Sequence, residues 1–210
     1  MNPTFPRTIF VTGIGTEVGK TFCSAVIVEA LKADYWKPIQ AGDLHQLDAD
    51  FVKKVSSNPS IKIHPSRHLL NEAMSPHAAA VLDGINVTLT DFELPITENH
   101  LIIEGAGGLM VPLNVQGDLV VDLIQNLKTE VILVVKNYLG SINHTLLSIE
   151  LLKQRNIKLL GLIFNGETNE FSEAIILSKT GVKCLARIPQ LTGDLNEFVV
   201  EQAEKIRESL

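Results

Sequence analysis

The sequence predicts a three-layer α/β fold with a mostly parallel central sheet, on three observations. Short apolar runs alternate along the chain with helical patterns. Most of those runs are continuously apolar, as strands covered on both faces are. A glycine-rich turn joins the first run to the first helix. The expected strands are residues 8–12, 35–39, 101–104, 131–136, 159–164 and 184–188. The expected helices are residues 21–32, 118–127 and 141–155, the last with Ile142, Leu146, Ile149 and Leu152 at helical spacing. Residues 43–94 are richer in polar side chains, Pro and His, and are expected to hold helices over the edge of the site. No repeat or linker interrupts the chain, so residues 1–210 are read as one domain.

Composition narrows the function classes. The chain is 45% hydrophobic and 20% charged, within the range of globular proteins. Its net charge of −6 argues against nonspecific binding to nucleic acid or an anionic membrane, since both need a basic face. Local phosphate sites are not excluded, because backbone N–H groups and a few cations build them. Cys23 and Cys184 show no metal-ligand or redox spacing and read as buried hydrophobes in a reducing compartment. No signal peptide is evident and no apolar run approaches the roughly 18–20 residues of a membrane span. A cytoplasmic location is expected.

The strongest local signal is the run Gly13, Ile14, Gly15, Thr16, Glu17, Val18, Gly19, Lys20, Thr21 between strand and helix. Glycines let consecutive N–H groups face a phosphate, and the helix N-terminus adds a favourable dipole. Lys20 can reach the β- and γ-phosphates of ATP, while the Thr21 hydroxyl can coordinate Mg2+. These features specify a P-loop NTPase-like fold. The loop is one residue longer than the common pattern, because Ile14 stands where the first glycine is usually found. In partitioning and nitrogenase-type ATPases a second lysine follows the first glycine; Ile14 holds that place in this chain.

Other polar residues cluster at expected strand ends, where ligands of parallel sheets bind. Lys37, followed by Pro38, ends the second strand and should face the phosphate loop's crevice. Glu104 ends an apolar strand and precedes Gly105, Ala106, Gly107 and Gly108, as expected of an Mg-holding acid. Asp48 and Asp50 each offer a further ligand, and spacing does not choose between them. Ser75-Pro76-His77 reads as a helix start with Ser75 capping. Gly140, Ser141, Ile142 and Asn143 open a helix whose free N–H groups can hold an anion or be an ordinary cap. Asn165-Gly166, after the fifth strand, can read a base edge or make a turn.

Taken together, residues 12–21, Lys37-Pro38, Ser75-Pro76-His77, the 104–108 block and residues 139–144 resemble dethiobiotin synthetases. The blocks follow that family's order from Thr8 to about Leu191. The resemblance implies a homodimer that uses ATP, Mg2+ and CO2 to convert 7,8-diaminononanoate into dethiobiotin. It implies that Lys20 and Thr21 act as argued and that the backbone through Gly15, Thr16, Glu17, Val18, Gly19 and Phe22 wraps the phosphates. It places Asp48 with Thr21 and Glu104 at the metal, with Gly105, Ala106 and Gly107 beside the nucleotide. Lys37 would hold the substrate carbamate and the migrating phosphoryl group. Asn165 and Gly166 would meet adenine, with Pro189, Gln190 and Leu191 lining the same end. Gly140, Ser141 and Asn143 of the opposite subunit would bind the diamine's carboxylate. One departure is Ala41, where many relatives carry a hydroxyl residue; a water, the backbone or Gln40 would have to substitute. Two rivals stand beside this reading. Another ligase of the loop class would need no anion site at 140–143, and Lys37 and Ile14 disfavour a partner-regulated ATPase switch.

Overall fold

The computed structural model of the chain describes residues 7–210. Its strands are β1 (Thr8–Gly13), β2 (Asp34–Trp36), β3 (Ile39–Ala41), β4 (Ile63–His64), β5 (His68–Leu70), β6 (Leu101–Gly108), β7 (Glu130–Lys136), β8 (Leu159–Asn165) and β9 (Cys184–Ile188). Its α-helices are α1 (Lys20–Leu31), α2 (Asp48–Val55), α3 (Pro76–Leu82), α4 (Val120–Leu127), α5 (Ser141–Gln154), α6 (Glu170–Thr180) and α7 (Leu195–Arg207). Seven strands form one sheet in the order β4-β2-β6-β1-β7-β8-β9, and β3 pairs with β5 in a second. Every paired strand in both sheets runs parallel. The predicted α/β class therefore holds.

Successive side chains of a strand point to opposite faces, and two cores result. Ile9, Val11, Tyr35 and Ile102 pack with α1 and α7 on one face. Phe10, Trp36, Leu101 and Ile103 pack with α3 and α4 on the other. Both parities are buried, which explains why the strands read as unbroken apolar runs. Ile9, Phe10, Val11, Ile102, Ile103 and the stretch Val131 to Val135 are all fully buried. At about 1.5–3 kcal/mol for each large apolar side chain, the three central strands form the most strongly held part of the fold. The C-terminal ends of β2, β6 and β1 thus lie side by side on a firm base.

Three expectations need correction. Residues 35–39 do not form one strand: β2 stops at Trp36, and the chain leaves for the second sheet as β3. Pro38 has no N–H to donate, so the ladder cannot continue through it. The expected helix at 118–127 begins only at Val120, with Asp122 accepting from the Leu119 N–H at 2.9 Å. Residues 43–94 hold more than helices, contributing β4 to the main sheet and β5 to the small one, besides α2, α3 and a 3₁₀ turn at Leu89–Asp91. Helices α6 and α7 escaped the sequence reading. Each is capped conventionally: Asn169 accepts from Ser172 N, and Asp194 accepts from Asn196 N and Glu197 N.

A buried carboxylate pins the edge of the sheet. Asp34 accepts from Thr97 Oγ1 at 2.6 Å, Asn99 Nδ2 at 3.1 Å and Lys62 N at 3.1 Å, with His64 Nε2 at 3.4 Å. Burial alone would raise its pKa; these donors outweigh burial and leave it below the usual carboxylate range. A depressed folded-state pKa stabilises the fold above the unfolded value and loses that contribution as pH falls through the folded one. Asp34→Asn should therefore destabilise the protein at pH 7 by about 1–3 kcal/mol. In urea titrations the gap from wild type should narrow once pH drops below about 4.

Candidate active site

Side-chain parity assembles the site. Lys37 follows Tyr35 by two residues and Glu104 follows Ile102 by two, while Tyr35 lies opposite Ile102 in the ladder. All four side chains therefore belong to the face covered by α1. There α1 begins at Lys20 and Thr21, directly after the glycine-rich loop. The result is a crevice of about 970 Å³ that Lys20, Thr21, Lys37, Asp48 and Glu104 all line.

The loop is shaped by backbone constraints. Ile14, the extra residue, continues the sheet: its N–H donates to Val134 O at 3.1 Å and its side chain is buried in the core. It anchors the loop rather than touching a ligand. Gly19 caps α1 with φ +87°, and a Cβ there would lie 2.0 Å from Asn165 Nδ2. Only glycine meets both demands. Thr16, Glu17, Gly19 and Phe22 also line the crevice, whereas Val18 is buried beneath it. Lys20 curls back so that Nζ donates to Gly15 O at 3.0 Å.

Glu104 is the electrostatic hub. It is 1% exposed and takes three side-chain donors. Thr21 Oγ1 reaches Oε1 at 2.8 Å and Lys37 Nζ reaches Oε1 at 2.9 Å, while the Tyr35 hydroxyl reaches Oε2 at 2.8 Å. Lys37 also pairs with Asp48. Burial works to lower the Lys37 pKa, but Glu104 and Asp48 prevail and hold the ammonium above its usual range. At Lys20 burial prevails over the attraction of Glu104, and its pKa is lowered. An arriving phosphate would favour the charged form of Lys20 again. Burial first, then the Glu104 charge, pushes the Tyr35 phenol well up, so it stays a donor.

The oxygens fit a magnesium ion. Thr21 Oγ1 and Glu104 Oε1 are in contact, and Lys37 ties Asp48 to the same place. One hydroxyl and two carboxylates are the hard donors that Mg2+ prefers. Among the described residues no three or more His, Cys, Asp or Glu side chains gather as a metal cage. An ion here would complete its shell with water and phosphate oxygens, as magnesium usually does. Of the two candidate acids, Asp48 lines the crevice, and Asp50, two residues on, is exposed.

The remaining predicted residues fall into three groups. Gly105, Ala106, Gly107, Ala41, Ser75 and Pro76 line the main crevice. Ser75 stands at the N-cap of α3 with Pro76 in the first turn, as expected, but its hydroxyl pairs with His77 Nδ1 at 2.9 Å rather than with a helix N–H. The Gln40 amide donates to Gly42 O, so that donor is committed near Ala41. Asn165, Gly166, Pro189, Gln190 and Leu191 converge on a second pocket of about 650 Å³, next to Phe22. There Asn165 Nδ2 props the phosphate loop by donating to Val18 O at 2.9 Å. Gly140 and Asn143 line a third pocket, outside the main crevice, and Ser141 is buried with its N–H given to Tyr138 O. Sequence reasoning missed Tyr35 and also Phe51, which borders both the crevice and the Asn165 pocket. The parity of Tyr35 with Lys37 and the three-residue spacing of Asp48 and Phe51 were the signals that could have found them.

Comparison with known proteins places the chain in a family. Residues 7–196 match a family model described as an AAA domain. An ATP-dependent dethiobiotin synthetase from Christiangramia forsetii is 52% identical, covering 98% of this chain and 98% of its own. The chain belongs to the dethiobiotin synthetase family. A second dethiobiotin synthetase, from Cytophaga hutchinsonii, is 48% identical over 94% of this chain and 95% of its own. A plasmid partition protein from Borrelia burgdorferi, solved with AMPPNP, has a TM-score of 0.61 at 13% identity and covers 98% of each chain. That last likeness is one of fold alone.

Gly19→Ala should weaken ADP binding about tenfold or more, since loop and Asn165 must both move. Calorimetric titration of ADP into the folded variant checks this, and an unchanged affinity would refute the tight-loop account.

Proposed function

We propose that this crevice performs the dethiobiotin synthetase reaction on 7,8-diaminononanoate, with Lys20, Thr21, Lys37, Asp48 and Glu104 as its acting residues. The chain is an ATP-dependent ligase forming C–N bonds, as its family membership states. The observation that carries the residue assignment is the convergence of two buried lysines and three hard oxygens in one crevice beside the phosphate loop.

The chemistry follows from charge. One substrate amine adds to CO2 and loses a proton, giving a carbamate anion. Lys37, held protonated by its carboxylate neighbours, supplies the cation that this anion needs. A carbamate oxygen then attacks the γ-phosphorus of ATP and ADP departs. Lys20 and Lys37 stabilise the charge spread over the phosphoryl oxygens, so catalysis is mainly placement and electrostatics. The neighbouring amine attacks the carbonyl carbon of the resulting carbamic–phosphoric anhydride, phosphate leaves, and the ring closes. Thr21, Asp48 and Glu104 would hold Mg2+, which supplies charge neutralisation at the β- and γ-phosphates. Asn165, Gly166 and the Pro189 to Leu191 segment form the adenine pocket.

The protein works as a single-domain homodimer in the cytoplasm. Gly140 and Asn143 sit in a pocket apart from their own Lys37, beside the fully exposed Leu139. That placement supports a substrate carboxylate site completed from the opposite subunit. No α-helix among the described residues is long and apolar enough to cross a membrane.

Purified protein with Mg-ATP, bicarbonate and 7,8-diaminononanoate should yield dethiobiotin by mass spectrometry, with ADP released only when the diamine is present. Lys37→Gln should abolish turnover while ATP binding stays measurable; wild-type turnover would remove Lys37 from the mechanism. Light scattering should give twice the 23.0 kDa chain mass. Mixing inactive Lys37→Gln and Asn143→Asp subunits should restore activity, and failure to do so in verified mixed dimers would place the site within one subunit.

A further inference from the structure

We propose that Tyr35 is a positioning residue for this reaction, fixing the Glu104 carboxylate so that Oε1 is the oxygen presented to the crevice. The proposal rests on the reading of Glu104 as a magnesium ligand.

The geometry divides the two carboxylate oxygens. Oε1 takes Thr21 and Lys37, both of which line the crevice. Oε2 takes the Tyr35 hydroxyl alone, at 2.8 Å. Tyr35 is 0% exposed and its ring packs in the core under α1, so the hydroxyl approaches from beneath the sheet's C-terminal edge. The ladder register of Tyr35 with Ile102 fixes that approach, because Glu104 follows two residues later on the same face. The terminal torsion of a glutamate is broad and nearly two-fold, so nothing intrinsic distinguishes its oxygens. A donor held by the core fixes the carboxylate plane, so that one oxygen stays on the tyrosine and the other faces the crevice. Without it, Oε2 would be buried and unsatisfied, and rotation towards Lys37 would relieve the deficit at the expense of the Thr21 contact.

Phenylalanine fills the same volume, so Tyr35→Phe deletes one hydrogen bond and little else. A space-filling tyrosine and a positioning tyrosine then predict different results. ADP affinity would be measured with EDTA and with excess Mg2+, and kcat and KM for the diamine would be read alongside. Positioning predicts that the EDTA affinity stays within about twofold while the magnesium-dependent gain falls about tenfold, as loss of a partner behind a metal ligand typically does. It also predicts a kcat reduced by a similar factor with KM little changed. A wild-type magnesium-dependent gain and kcat in folded Tyr35→Phe would overturn the proposal. Glu104→Gln separates the two levels. If it too leaves the magnesium-dependent gain intact, the metal-ligand reading fails; if it alone abolishes the gain, only the role of Tyr35 fails. Should Tyr35→Phe not fold, the 3-fluorotyrosine-labelled protein serves instead. Only Tyr35 and Tyr138 contribute 19F signals, which Tyr138→Phe assigns. Adding Mg2+ to the ADP complex should shift the Tyr35 resonance and should not do so in Glu104→Gln; an unmoved Tyr35 signal would sink the proposal.

Discussion

A buried carboxylate with one percent of its surface exposed has to be paired, and Glu104 is paired by three side chains from two separate pieces of the chain. Thr21 comes from the start of α1, Tyr35 from β2, and Lys37 from the residue just beyond β2. An ion left uncompensated in such a place would cost several kcal/mol. The carboxylate therefore depends on β2, β6 and α1 being docked in one register, and Lys37 extends the requirement to α2 through Asp48. The same contacts that make the charge tolerable hold Lys37 in the crevice that Lys20 also lines.

Around that hub the loops are held by specific anchors. Ile14 extends β1 by one more hydrogen bond and buries its side chain, so the extra loop residue is absorbed by the sheet. Asn165 reaches from the end of β8 to Val18 O and links the pocket that it lines to the phosphate loop. Movement at either pocket would be felt at the other through this amide, since the approach of Gly19 leaves no spare volume. Phe22 and Phe51, whose ring centroids lie 6.5 Å apart, stand between the two spaces.

The same architecture serves proteins with other tasks, as the partition protein at 13% identity makes plain. The side chains of this crevice stand at strand ends. Lys37 lies one residue beyond the end of β2, between Trp36 and Pro38. Ala41 lines the same crevice, and the Gln40 amide is committed to Gly42 O. A substrate group at that position would meet a methyl and backbone groups rather than a side-chain donor.

The local signals were legible without coordinates. Strand runs, the phosphate loop, Lys37, Glu104 and the helix start at Gly140 are written in short contiguous stretches, because buried parallel strands and glycine turns constrain neighbouring residues. Covalent sequence also revealed a helix opening at Thr21, one residue inside its observed start at Lys20. Spacing alone did not choose between Asp48 and Asp50, show that residues 35–39 divide between two sheets, or reveal strands within 43–94. Beyond the parity of Tyr35 with Lys37, it gave no sign that the Tyr35 hydroxyl meets Glu104. Those matters turn on pairing between residues as much as 69 positions apart, as for Tyr35 and Glu104. Which side chains meet across such distances is decided by ladder register and by which face α1 covers, and neither is a property of any local stretch of chain.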